Sequence, residues 1–261
     1  MPARVDKDHS SSSVNGGITM TRHAETTELT PQRGTLEQIT LTAHSLAGLT
    51  YASEKLVADG GASFEFWLST AYADALQDTL RWERIHGTGV GEGLGILHSP
   101  AFISVAKEDG QTAATVLPAN VFKMASRTWG FDERGTSWVV NPMLRTQVSA
   151  LADPDTGKPL FEYARSDGER GRLLGRPCFF DERAAAPGSL GDIVVAHWPE
   201  YIRAVYQPAT WATSIHVRFL AVESAFRLWE RSDQQPWWRS ALTPGYGTDT
   251  LSPYVALAAR E

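Results

Sequence analysis

Every second residue from 87 to 95 is glycine, in the run Gly87-Thr-Gly89-Val-Gly91-Glu-Gly93-Leu-Gly95. The run repeats the G-x-G opening of the dinucleotide fingerprint, in which backbone amides and a helix N-terminus hold a pyrophosphate. That chemistry needs a strand before the glycines and a helix after them. Here the order is reversed, because the longest helical pattern in the chain ends at His86. No Lys-Ser or Lys-Thr pair follows, so the phosphate-binding-loop motif is missing as well. The segment therefore reads as a turn. Gly87, Gly89 and Gly95 would supply tight bends and close backbone approach, not a nucleotide site.

Metal and nucleophile chemistry have no better footing. None of His9, His23, His44, His86, His98, His197 and His216 forms an H-x-x-x-H pair, and none stands at ligand spacing with cysteine. Cys178 is alone, which excludes an intrachain disulfide and a cysteine-based zinc site. Asp6-Lys7-Asp8-His9 offers ligand atoms, but in a stretch so polar that it reads as a solvated loop. There is no G-x-S-x-G elbow, and nothing selects a Ser-His-Asp triad. The expected catalytic, metal and cofactor-binding sets are empty.

Charged and aromatic clusters point to contacts instead. Arg165, Arg170, Arg172 and Arg176 are interleaved with Asp167 and Glu169, a mixed-charge loop suited either to nucleic acid or to inter-subunit ion pairs. Trp229, Arg231, Trp237, Trp238 and Arg239 combine rings and cations. They could stack bases or anchor a protein interface. A net charge of -6, from 24 basic and 30 acidic residues, favours the interface and argues against a dedicated nucleic-acid binder.

The elements that must carry these residues read as α+β. Residues 1–34 are poor in apolar side chains and broken by the serines at 10–13, Gly16, Gly17, Pro31 and Gly34; they form an irregular arm, disordered or laid against a partner. From Leu36, Ile39, Leu41 and Ala43 alternate with Thr40 and Thr42, as in a half-buried strand. A short helix over 53–58 ends at Gly60-Gly61, and a long one over 63–86 is capped by Ser63 and stopped by Gly87. Later spacing predicts strands at 102–105, 138–140, 173–180, 193–197, 201–205, 212–217, 226–230 and 255–259. Helices are predicted at 118–127, with Pro118 in its first turn, and after Asn141-Pro142. Helices and strands do not alternate strictly, which excludes a βαβ fold. No apolar run reaches membrane-span length and no signal peptide opens the chain, so no membrane partner is expected.

Several islands, in order, resemble the tailed-bacteriophage major capsid family: the long helix running into Gly87-Thr-Gly89 and Gly95, the Val139-Val140-Asn141-Pro142 step, the Asp153-Pro154-Asp155-Thr156-Gly157 turn, Leu173-Leu174-Gly175-Arg176-Pro177, and Phe226-Arg227 through Arg231-Ser232-Asp233. The resemblance implies the Hong Kong ninety-seven-like fold, with a long spine helix, peripheral and axial domains and an extended loop. Residues 1–34 would be the loop remnant, 35–98 the peripheral domain with the spine, and 99–261 the axial domain plus returning peripheral strands. It further implies a structural, non-enzymatic subunit that assembles with itself into pentamers and hexamers. The icosahedral shell would enclose double-stranded DNA without sequence-specific binding. Portal, scaffold or decoration proteins would be further partners, and the virion capsid, with the host cytoplasm during assembly, the location. Met1 falls inside the implied loop, so the chain is expected to be N-terminally shortened. Lys7 lies where some relatives crosslink, but no matching Asn is placed. Two other readings remain: a bacterial nanocompartment shell around a cargo enzyme, and a nucleotide-binding enzyme using the Gly87–Gly95 loop.

Overall fold

The computed structural model describes residues 2–3, 8–9, 16–23, 25, 28, 31–35, 37–163 and 171–260. The readings placed on Asp6, Lys7, residues 10–13, Leu36, Arg165, Asp167, Glu169 and Arg170 lie outside the described residues. Along the chain, β1 (Pro2–Ala3) and β2 (Glu37–Gln38) precede β3 (His44–Ser53), α1 (Glu54–His86), β4 (Ile103–Val105), α2 (Pro118–Arg127) and β5 (Thr136–Val140). Then come α3 (Arg145–Ser149), β6 (Phe161–Glu162), β7 (Arg172–Leu173), β8 (Arg176–Phe180) and β9 (Ile193–His197). Two long strands, β10 (Tyr201–Arg218) and β11 (Glu223–Pro236), and finally β12 (Tyr254–Leu257) complete the order. The chain divides into two units. Unit 1 is Met1–Thr40, Gly95–Ile202 and Pro236–Glu261; unit 2 is Leu41–Leu94 and Arg203–Gln235.

Unit 1 is built on a seven-stranded mixed sheet in the order β4-β12-β9-β5-β8-β7-β6. Its central strands β5, β9 and β12 are buried on both faces, which is why they read as near-continuous apolar runs. Trp138, Val140, Val195 and Val255 face one core with Val121 and Met124 of α2. Val194, Ala196, Tyr254 and Ala256 face another with Ile96. Helix α2 forms where expected: Pro118 occupies the first turn, and the Asn120 side chain accepts the Leu117 amide at 2.9 Å.

The strand expected over 173–180 is two strands. Leu174 and Gly175 both have positive φ (49° and 75°) and make a two-residue turn pairing Leu173 with Arg176, the geometry of a type I′ hairpin. Apolar spacing cannot reveal such a reversal when apolar residues flank it on both sides. The arm doubles back on itself: β1 pairs with β2, Thr35 donates to Gly16 at 2.8 Å, and Thr19 donates to Gln32 Oε1 at 2.7 Å.

Unit 2 is the three-stranded sheet β10-β11-β3 with α1 against it. Ser53 caps α1 by accepting the Leu56 amide, and the only non-helical residue inside is Gly61 (φ 49°, ψ -138°), so the two expected helices form one element with a break. The strand expected over residues 39–43 lies instead at His44–Ser53. Its inward positions include Gly48 and Thr50, whereas Leu49 and Tyr51 point out, so the apolar alternation fails in the middle of the strand. Gly48 is dictated by packing: a Cβ there would sit 2.4 Å from the Tyr72 ring. Likewise the two strands expected over 201–205 and 212–217 are one. Pro208 lies inside it, which β10 tolerates as an edge strand.

Candidate functional site

The glycine run closes on itself and on β11. Thr88 N and Oγ1 both donate to Glu92 Oε1 at 2.9 Å, Gly89 N donates to Gly93 O at 3.3 Å, and Gly93 N to Glu83 Oε2 at 3.4 Å. Leu94 N donates to Gln234 O at 2.8 Å. The amides of Thr88, Gly89, Gly93 and Leu94 are thus spent on carboxylates and carbonyls of the protein and not held open for a phosphate. Close approach explains the glycines: a Cβ at Gly87 would lie 2.1 Å from Gly93 O, and one at Gly93 would lie 2.4 Å from Gln234 Cγ. The loop fastens the end of α1 to the end of β11, with Gln234 Nε2 also donating to Leu80 O at 3.0 Å.

The other motif residues sit at element junctions and do not converge on one pocket. In unit 1, Asn141 donates to Ala184 O and Ala185 O (3.2 and 2.9 Å) and accepts the Met143 amide at 2.9 Å, so it ties the end of β5 to the 184–192 loop while capping the turn begun by Pro142. Leu174 and Gly175 form the hairpin turn, and Pro177 is exposed on β8. In unit 2, the Arg231 guanidinium lies 4.9 Å from the centre of the Tyr206 ring, a cation–π contact. Asp153 accepts from Thr156 Oγ1 at 2.6 Å and from the Asp155 amide at 3.1 Å, and these hydrogen bonds hold its carboxyl below the usual range. The Cys178 thiol is buried and pushed up to about 12 by burial, so it is inert.

The expected tryptophan interface needs correction at Trp238. Trp238 is only 2% exposed; its ring packs 5.0 Å from Trp129, and its Nε1 donates to the buried Glu200 carboxylate at 2.8 Å. It is a core residue, because an indole N–H in the interior needs a partner and Glu200 supplies one. Trp237 is half-buried beside it, and Trp229 is half-buried in β11.

Aromatic and aliphatic groups instead gather in unit 2, most of them at positions the sequence analysis did not single out as contacts. Phe64, Phe226, Trp211 and Tyr72 form a chain of ring contacts, at 6.0, 5.9 and 5.4 Å, joining α1 to the β10-β11 hairpin. At the margins of that ladder, Phe66 and Trp67 (62% exposed) project from α1. The hairpin tip bears Phe219 and Leu220, the latter 98% exposed. The tip is strained as well as apolar. Val222 adopts the left-handed conformation (φ 55°, ψ 45°), a setting that disfavours a β-branched residue by about 1–2 kcal/mol. Its carbonyl is held by the Glu54 amide at 3.0 Å.

The features at hand are thus a mixed sheet in unit 1, a long broken helix, a glycine loop bonded to its own chain and an apolar hairpin tip in unit 2. The phage capsid family matches residues 10–246 of the chain. The chain belongs to that family, and it is a structural subunit of a virion capsid shell. The fold is shared with the capsid of a native GTA particle, at 18% identity and TM-score 0.70, over 100% of this chain and 85% of that one. The capsid of an empty GTA particle has 19% identity and TM-score 0.68, over 93% and 81%. A chain from Mycobacterium phage Bobi has 17% identity and TM-score 0.60, over 99% and 83%. No curated protein sequence matches.

Proposed function

We propose that copies of this chain associate into pentameric and hexameric rings that close into an icosahedral shell around double-stranded DNA. In this reading unit 2 is the peripheral domain with α1 as its spine, and unit 1 apart from its first segment is the axial domain. Residues 1–34 are the extended loop. Assembly takes place in the host cytoplasm, and portal, scaffold or decoration proteins engage the finished or growing shell. The chain performs no catalysis.

The observation that carries the proposal is the set of large apolar side chains exposed on unit 2: Phe66, Trp67, Val217, Phe219 and Leu220. Large apolar side chains left exposed in number on one unit support association with another copy. Strain at Val222 supports the same conclusion, because strained backbone concentrates where function requires it. The test is sedimentation and electron microscopy of the purified chain at rising concentration. Rings or shells are expected. A species that stays monomeric and shows neither would sink the proposal, and co-purification of a cargo enzyme in place of DNA would redirect it to a nanocompartment.

A further inference from the structure

Unit 1 carries an open groove of about 690 Å³ along the N-terminal ends of β5 and β8, walled by Phe179 and Trp198 and bordered by Arg134, Arg172 and Arg176. The Trp198 ring is fixed, since its Nε1 donates to Ser137 Oγ at 2.6 Å. Arg176 is engaged: its Nη2 meets Asp132 Oδ1 at 3.1 Å, and its guanidinium lies 5.7 Å from the centre of the Phe131 ring. The guanidinia of Arg134 and Arg172 differ, making no hydrogen bond or ion pair with any described residue. Glu162 stands across the β6-β7 ladder from Arg172 without closing an ion pair.

Two guanidinia without a partner among the described residues, beside the rings of Phe179 and Trp198, match carboxylates carried on a polypeptide, because the planar fork binds a carboxylate through two parallel hydrogen bonds. A nucleic-acid strand fits less well. The rim bears the exposed carboxylates of Asp132 and Glu133, one of the three cations is already neutralised, and the chain as a whole carries -6. A phosphate backbone needs a continuing track of cations. The chain itself supplies unpaired acid: Asp155, in the exposed turn after Asp153, has no side-chain partner among the described residues.

We infer that this groove receives an acidic segment of a second copy of the chain, with Arg134 and Arg172 closing on its carboxylates. The inference rests on the shell reading, which places many copies side by side, but it is tested separately. Benzoylphenylalanine at position 177 in the full chain would be irradiated in both soluble and particle fractions prepared from mixed heavy- and light-isotope copies. The expected product is a crosslink between copies to a segment bearing Asp or Glu. In the Arg134→Glu/Arg172→Glu background that crosslink should fall about tenfold, with near-ultraviolet circular dichroism unchanged. The inference is overturned by a crosslink to nucleic acid, by one confined to residues 164–170 of the same copy, by no crosslink, or by one indifferent to the charge reversal. Failure to form particles overturns the shell reading, while the crosslink in the soluble fraction still decides the groove.

Discussion

Arg260 and Asp192 form an ion pair in which neither side chain is exposed, and 68 positions of sequence separate them. The Asp192 carboxylate also accepts the Gly188 amide at 2.8 Å, and the Arg260 backbone bonds Gly188 and Ala114. The last turn of the described chain is thereby locked into the interior of unit 1. Removing one partner strands the other charge in a medium that solvates it poorly. Asp192→Ala should therefore lower unfolding stability by about 3–5 kcal/mol. The double variant Asp192→Ala/Arg260→Met should lose less than the two single losses together. Urea unfolding of the three variants gives the comparison, and additivity would show that the pair is not coupled.

Trp238 and Leu220 should respond oppositely to mutation. Trp238→Ala opens a core cavity and deprives Glu200 of a donor, a loss of about 3–5 kcal/mol seen in thermal unfolding. Leu220→Ser touches nothing buried and should leave the melting temperature within about 2 °C. On the proposed function it should nevertheless reduce particle yield by sedimentation. A destabilised Leu220→Ser with normal particle yield would contradict both expectations.

Two glycines of the same loop should differ in sensitivity. Gly91 has a positive φ of 75° and open space around it, so Gly91→Ala costs about 1–2 kcal/mol from backbone strain alone. Gly87 has an ordinary φ of -54°, but a methyl group there collides with a backbone carbonyl that cannot step aside. Gly87→Ala should lose on the order of 3 kcal/mol or more. Chemical denaturation of both variants orders them, and the reverse order would refute the close-approach account.

Acid should weaken unit 1 through His197. Burial holds this imidazole below its ordinary 6.5, against the pull of Glu133 and Glu200, and its Nδ1 lies 2.8 Å from Thr136 Oγ1. With the folded value depressed, the unfolded chain binds the proton more readily. The stabilisation is therefore complete above 6.5 and is lost as pH falls through that value towards the folded one. Melting temperature should fall from about pH 8 to about pH 5, and fall less steeply in His197→Gln. Equal slopes would assign the acid sensitivity to other groups.

These residues also show what sequence could and could not disclose. Helix α2 was legible from Pro118 to Arg127 because its start signal and its inward Val121 and Met124 are all local. Strand β9, with its apolar run Ile193-Val194-Val195-Ala196, was equally plain. Strand β3 was not, since Gly48 and Thr50 point inward to meet Tyr72 while Leu49 and Tyr51 point out. Trp238 was misread because its neighbours in sequence are polar, whereas Glu200, which holds it, lies 38 positions away. Nothing in the letters Phe219-Leu220 separates an exposed tip from an ordinary core pair. The glycine run was read correctly as a turn from order alone, but its reliance on Glu83, Glu92 and Gln234 appears only in three dimensions.

The sheet of unit 2 has a consequence for how the protein is made. Thr42 N donates to Asp233 Oδ2 at 2.7 Å across 191 positions, and β3 finds its partner only in β11. At about 5–20 residues per second, a ribosome takes roughly 10–40 s to deliver β11 after β3 has emerged. Throughout that interval α1 and β3 lack the strand that covers Leu68 and Ala52 through Phe226. An early-made part of the spine is therefore covered late. During synthesis it is open for that interval to premature association with a neighbouring nascent chain.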